Sequence, residues 1–504
     1  MPISLKTGGL ALLALQAGLM LSVTGAIAAD PGAIVLAMPV APTSLDACDD
    51  SGQANARILR GNVVEALTRL DPETGAVGPL LATEWKQTDE NTWLFTIRPG
   101  VTFQDGAKLD AAAVVFGINR ALNPDLVCLN LSLFPTKLVA SVESDMVVRI
   151  VTDSPDPILP ARITYIDLPS PNTPADAKST EPVGTGPYAF ASQEVGQSVT
   201  LKANPDYWGD APQVQQATFT VRGEPTIRIS MIGTGEADIA YDVPFDGTED
   251  MANAKNYATN SVFYIRPMLR KPPLDDLRVR QAVSLAIDKQ TLTEVLLNNG
   301  GTPTSQLVTQ LINGYIPGYE GLPYDLEKAK ALLVEARADG VPVDTPITLV
   351  SRNDLFNGAD ELAQAMQQML QQAGFDIVLN SVDSVAWSPW ARKPDSLTQP
   401  VNLLTSSHPN ISGDASLSFP NYFGSGGRLG LADEALDGQL AEAAVSQGQE
   451  RAAAYQAIAR IAYDNQIVIP IAALQGRLLL SERVDYEPNG FTNIELHLAD
   501  IVLK

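Results

Sequence analysis

The stretch ITLVSRNDLFNGADELAQAMQQMLQQAGFDIVLN, Ile347–Asn380, contains a strand, a helix and a second strand in immediate succession. Ile347-Thr348-Leu349-Val350 is a short apolar, β-branched run of strand character. From Ala359 to Ala373, Leu362, Ala365, Met366, Met369 and Leu370 recur at helical spacing with Gln and Glu opposite, and Gly374 stands at the C′ position. Phe375, Ile377 and Leu379 then alternate with Asp376, Val378 and Asn380, which predicts a strand after a tight turn. A βαβ unit of this kind calls for a parallel sheet covered by helices. Outward from it the same alternation continues. Leu274–Asn299 carries two helical patterns with Asp276 and Asp288 as N-caps, and Asp325 opens another helix that Gly340 closes. Trp93–Arg98 reads as a strand, Pro99-Gly100 as a turn and Asp110–Leu122 as a helix, so the fold class is α/β throughout. Breaks rich in Pro and Gly at Glu181–Pro187 and Lys271–Leu274 are the candidate boundaries between structural units.

The N-terminus, MPISLKTGGLALLALQAGLMLSVTGAIAAD, has Lys6 as its single charge before Asp30, then an apolar run and an A-x-A-like end, the pattern of a cleavable signal peptide over residues 1–29. No cysteine lies near that end to carry a lipid, so direct membrane insertion of the mature protein is not expected. Acidic side chains outnumber basic ones 58 to 34, a formal charge of -24, which repels nucleic acid and anionic lipid without naming a partner. The only cysteines, Cys48 and Cys128, are read as a disulfide suited to an oxidising compartment; the alternative is two buried thiols.

Signatures of enzymatic chemistry are missing. The chain has no G-x-S-x-G, S-x-x-K, H-E-x-x-H or P-loop pattern. GTGPYA at Gly184–Ala189 lacks the third glycine of a dinucleotide fingerprint and reads as a turn. Two histidines, His408 and His497, leave few members for a triad or a multi-histidine metal site, so neither a catalytic residue nor a metal nor a cofactor is assigned. His408 lies in Ser406-Ser407-His408-Pro409-Asn410, read as a polar loop after the strand Val401–Leu404, where ligand contacts gather; His497 reads as structural. Trp387 and Trp390 either stack on a ligand or cover a core.

Several separated stretches resemble one family, the large ABC-importer solute-binding proteins that include dipeptide-, oligopeptide- and nickel-binding members (family 5, cluster C). Ala33–Gly52, AIVLAMPVAPTSLDACDDSG, is similar to that family's first strand and its P-x-S-L-D segment. LLATEWKQTDENTWLFTIRPGVTFQDG, Leu80–Gly106, resembles P-x-L-A-x-x-W followed by F-x-L-R-x-G-V-x-F-x-D-G. GTGPYAF at Gly184, NPDYW at Asn204, ISMIGTGEADIA at Ile229 and PPLDDLRVRQAVSLAIDKQTL at Pro272 match further family stretches in the family's order.

The resemblance implies a type II periplasmic-binding-protein fold: lobe I over 30–66, 183–270 and 475–504, an inserted lobe over 67–182, and lobe III over 271–474. Its implied function is periplasmic capture of a small polar solute, a dipeptide, oligopeptide or peptide-like compound, without catalysis, by a monomer that closes on it and delivers it to an ABC permease. Implied ligand residues are Thr43 and Ser44, beside Pro42, on lobe I, and Arg352, Ser406, Ser407, His408, Asn410 and Asp414 on lobe III, with Trp387 and Trp390 from the reading above. Arg352 suits a carboxylate and Asp414 an amino group, against a surface ion pair and a turn residue respectively. The loop departs from the peptide binders, where a tryptophan and an acidic residue commonly follow the strand; Thr405–Asn410 is hydroxyl-rich instead, which also admits a sugar-containing or opine-like solute, while His408 with an organic chelator admits a nickel chelate and a secreted hydrolase is the distant alternative.

Overall fold

A computed structural model describes residues 30–504 apart from 51–52, 135–136, 357, 393–394, 411–412, 428–433 and 489–494. The expected signal peptide therefore lies outside the described residues. Among these, no helix is long and apolar enough to cross a membrane.

The βαβ unit forms as its periodicity predicts. Strands Ile347–Arg352 and Ile377–Val382 are parallel, with Ile347 opposite Ile377 and Arg352 opposite Val382. Helix Ala359–Ala373 between them buries Leu362, Ala363, Met366 and Leu370, and Gly374 ends it at φ 108, where a Cβ would be strained. Asp110, Asp276, Asp288 and Asp325 each cap a helical start by accepting a backbone N–H two or three residues on. The segment after Asp288 is shorter than a regular helix: Lys289–Thr291 passes into a π-type turn over Leu292–Leu296.

One eleven-stranded sheet crosses the molecule. In order it contains Ile377–Val382, Ile347–Arg352, Asn402–Pro409, Ala254–Pro267, Ile469–Leu480, Ile239–Ala240, Ala33–Met38, Gln216–Val221, Ser198–Ala203 and Tyr188–Glu194, with Gly301–Pro303 beside Ile469–Leu480. Three large cores pack around it and beside it. One draws on residues 34–64, 188–257 and 478–501. A second, over 48–168, covers a separate four-stranded sheet. The third, over 263–472, holds the βαβ unit.

The long antiparallel strands Ala254–Pro267 and Ile469–Leu480 pass from the first core to the third, and their register breaks between Ala258 and Val262. Asn260 sits in that break at φ 50, the left-handed region. A disulfide joins Cys48 to Cys128 across a sequence separation of 80; a loop of that length corresponds to about 4 kcal/mol in the chain-entropy model. Gly184 and Gly186 of the GTGPY turn run so close to Val63 and Asn62 that a Cβ would stand 2.1 and 2.3 Å from their carbonyl oxygens.

Candidate functional site

The parallel strands set the place of the site. Strand Ile347–Arg352 pairs with Asn402–Pro409 only from Thr348 opposite Asn402 to Val350 opposite Leu404. Residues 405–409, expected as a loop, instead continue as strand along Ala254–Pro267, with Tyr264 opposite Ser406, Phe263 opposite Ser407 and Val262 opposite His408. The β-branched and apolar partners across the ladder sustain the pairing where the hydroxyls alone gave no strand signal. One flank of this extension thus lies past the carboxyl end of its parallel neighbour, the position where open α/β sheets bind ligands.

Arg352 ends the neighbouring strand at this edge. Its Nε donates to Asp354 Oδ1 at 2.9 Å, and its guanidinium lies 5.6 Å from the centre of the Trp387 ring. Burial acts to raise the Asp354 carboxyl, but hydrogen bonds from Arg352 and Ser384 outweigh it and hold it below the usual range. Trp387 is buried with Val350, Ala391 and Leu404, and its indole N–H donates to the Thr405 carbonyl at 3.1 Å. Its ring therefore belongs to the local core while one face supports Arg352. Trp390 is half-buried against the same cluster, and its carbonyl accepts from Arg266. Thr405 Oγ1 lies 3.2 Å from Ser351 Oγ, a buried hydroxyl pair on the sheet face opposite to the arginine.

His408 is buried. Its Nε2 lies 2.6 Å from Ser418 Oγ, and its ring meets Tyr422 edge-on at 4.8 Å. Tyr422 also packs against Tyr264, with the two hydroxyls 3.5 Å apart. This aromatic group escaped the sequence reading because Tyr264 and Tyr422 belong to strand and helix patterns that look like ordinary core.

Asn410 and Asp414 belong to the framework. The backbone N–H and side-chain amide of Asn410 both donate to the Asn260 carbonyl, at 3.0 and 2.9 Å, and the amide also reaches Leu307 O. Asp414 takes a two-pronged ion pair from Arg451 at 2.8 Å on each oxygen, plus donation from Asn313 and the Ser416 N–H. Burial opposes its charge, and those donors still keep the carboxyl below the usual range. That arrangement corrects the expectation of an amino-group partner: the charge of Asp414 is already matched inside the protein. No sequence spacing announces the Arg451 pairing, 37 residues away.

On the first core, Asn55 fixes the segment that contains Pro42: its Oδ1 accepts from the Thr43 N–H at 2.9 Å, and Ser44 Oγ accepts from Asp46 N at 3.1 Å. Asp46 itself is locked by Arg120 at 2.7 and 2.6 Å. Thr43 is exposed and Ser44 half-buried, and neither is brought into hydrogen-bond contact with Arg352 or with 405–410. Nearby, Asp50, Asp167 and Glu495 converge on a single cation, Arg60, with Asn130 donating to Asp50. Burial raises the Asp167 carboxyl well above the ordinary range, and the neighbouring Asp50 raises it further. His497 stands between Glu495 and Asp500; burial disfavours its charge, but hydrogen bonds to those carboxylates push its pKa up to about 10. It is a structural cation. Among the described residues, no group of three or more His, Cys, Asp or Glu is placed to hold a metal ion.

The model for bacterial extracellular solute-binding proteins, family 5 Middle, matches residues 76–427. Glutathione-binding protein GsiB of Salmonella paratyphi A is 29% identical over 367 residues, covering 70% of each chain. A probable di/tripeptide-binding protein 5 of Pseudomonas aeruginosa is 25% identical over 519 residues, covering 91% of this chain and 95% of its own. Among solved structures, the ABC transporter substrate-binding protein CtaP of Listeria monocytogenes superposes with a TM-score of 0.82 at 20% identity, over 94% of this chain and 99% of that one. NikA of Brucella suis superposes at 0.81 and 22% identity, over 94% and 100%. With a two-strand connection between its cores and a family match over most of its length, the chain belongs to family 5 of the bacterial extracellular solute-binding proteins, which serve ABC importers.

Proposed function

We propose that this protein captures a peptide-like solute carrying a free carboxylate, in the periplasm and without chemical turnover, and presents it as a closed monomer to an inner-membrane permease. The observation that carries the reading is Arg352: it ends a parallel strand at the edge of the sheet where open α/β sheets bind ligands, braced by Asp354 and the Trp387 face. A guanidinium held this way offers planar, charge-assisted hydrogen bonds to a carboxylate. On the neighbouring strand, Ser406 and Ser407 supply further polar contacts, and His408, held by Ser418 and Tyr422, positions that stretch. The relatives named for glutathione and for di- and tripeptides support the peptide-like class.

In this reading residues 1–29 are removed on export. Lobe I comprises 30–66, 183–270 and 475–504, the inserted lobe 67–182 and lobe III 271–474. Thr43 and Ser44 face the ligand from lobe I. The two long strands flex where their register breaks at 258–262, and closure excludes water from the cleft, which strengthens each polar contact. A thermal-shift screen of refolded, ligand-stripped protein against dipeptides, tripeptides, glutathione, opines, oligosaccharides and nickel–chelator mixtures tests it, because a ligand of the folded state raises the melting temperature. A dose-dependent rise with peptides or glutathione is expected. A rise confined to oligosaccharides or nickel chelates would replace the peptide class.

A further inference from the structure

The segment 67–182 and the segment 271–474 are joined by no direct chain connection: each returns to the first core, the latter through Ala254–Pro267 and Ile469–Leu480. Contact between them is therefore made only when the two bodies come together. The structure shows such contact. Leu70 packs against the cluster of Phe419, Tyr455 and Ile458, and the Gln447 amide reaches Gln87 at 3.5 Å.

A third contact comes from Arg162, the last residue of the turn Leu159–Arg162, whose Leu159 belongs to the core over 48–168. Its side chain is 8% exposed. Nε is held by Asp156 at 3.0 Å, Nη2 donates across the boundary to Ser416 Oγ at 3.0 Å, and Nη1 is buried with no hydrogen-bond partner among the described residues. Ser416 is in turn fixed by Asp414, whose charge Arg451 matches.

We infer that Arg162 and Ser416 form a closure latch, positioning the inserted lobe against lobe III and setting how much of the protein is closed. The inference rests on the lobe-closure reading above. In the open form the Arg162 head is hydrated. Closing strips that water, returns one charge-assisted hydrogen bond through Ser416 and leaves Nη1 without a partner. The two effects oppose each other, so the latch favours closure only weakly and lets the empty protein reopen. A ligand then closes it with the whole of its differential affinity, since apparent affinity scales with the competent fraction.

The test places cysteines at the exposed pair, Gln87→Cys with Gln447→Cys, in full-length mature protein with its native disulfide. It follows capture by a short bis-methanethiosulfonate cross-linker, whose rate reports the closed fraction without a ligand. Adding Ser416→Ala strands a second buried guanidinium nitrogen, and cross-linking slows by about tenfold; Ser416→Thr, which keeps the hydroxyl, restores the rate. Equal melting temperatures across the three proteins exclude a folding defect as the cause. An unchanged rate in Ser416→Ala, with cross-linking that shrinks the radius of gyration in X-ray scattering, would overturn the latch alone. Cross-linking that leaves the radius of gyration unchanged would remove the closure reading and the latch with it.

Discussion

Arg352 is the residue on which ligand selectivity turns, and its surroundings define how it fails. Removing the side chain in Arg352→Ala deletes the carboxylate grip and leaves Asp354 unpaired at the cleft edge, so affinity for a carboxylate-bearing peptide falls by about tenfold or more. Arg352→Lys keeps the charge and loses the fork, and falls between the two. Fluorescence titration of both variants checks the order; equal affinity in all three proteins would take Arg352 out of the site. Two groups give the protein a pH signature, buried Asp167 and half-buried His497. Asp167 has its folded pKa raised, so its contribution is complete below the unfolded carboxyl range and is lost as pH rises through the folded value. Asp167→Asn, which mimics the protonated acid, therefore gains stability relative to wild type as pH increases from 5 to 8, read from urea midpoints. His497, pushed up to about 10, has the same sign at a higher window. Its contribution is full below about pH 6.5 and fades as pH climbs through 10, so His497→Gln costs more at pH 6.5 than at pH 8 and least above pH 10. Sequence could not announce either group. Both depend on the carboxylates that the chain brings together from residues 50, 167, 495 and 500, around Arg60 in the first case.

At the scale of elements, local rules were largely legible. Asp276 and Asp288, read as N-caps, both cap, as do Asp110 and Asp325 at the two helix starts read there, and the amphipathic face of Ala359–Ala373 is the face that packs. Leu370, wholly buried in the third core, carries a defined cost: Leu370→Ala removes about 2 to 5 kcal/mol of stability, measured by chemical denaturation. The strand Asn402–Pro409 was only half visible. Val401–Leu404 has the apolar signal, whereas Thr405-Ser406-Ser407-His408-Pro409 reads as loop because the strand's second half owes its form to cross-strand partners in Ala254–Pro267. The same limit applies to Asn410 and Asp414. Their residue types suggest ligand contact, but Asn260, Leu307 and Arg451 engage them first, and pairings between residues so far apart leave no periodic trace.

For the whole molecule, family motifs spread from Ala33 to Leu292 identified the fold and the solute-binding role, and the structure supplies the mechanical frame. One sheet joins the first and third cores, two long strands carry the connection, and Asn260 occupies their register break in a left-handed conformation, tied to Asn410 by two hydrogen bonds. The ligand's chemical class was the least legible feature, because it depends on side chains gathered from separate segments across a cleft. The measurement that tests the central claim most directly is calorimetric titration of ligand-stripped protein with di- and tripeptides and glutathione, each paired with its carboxyl-amidated form. The account predicts saturable one-to-one binding of free-acid peptides, about tenfold or greater weakening on amidation, and no change in the recovered solute. Equal binding of acids and amides, or recovery of hydrolysed peptide, would contradict it.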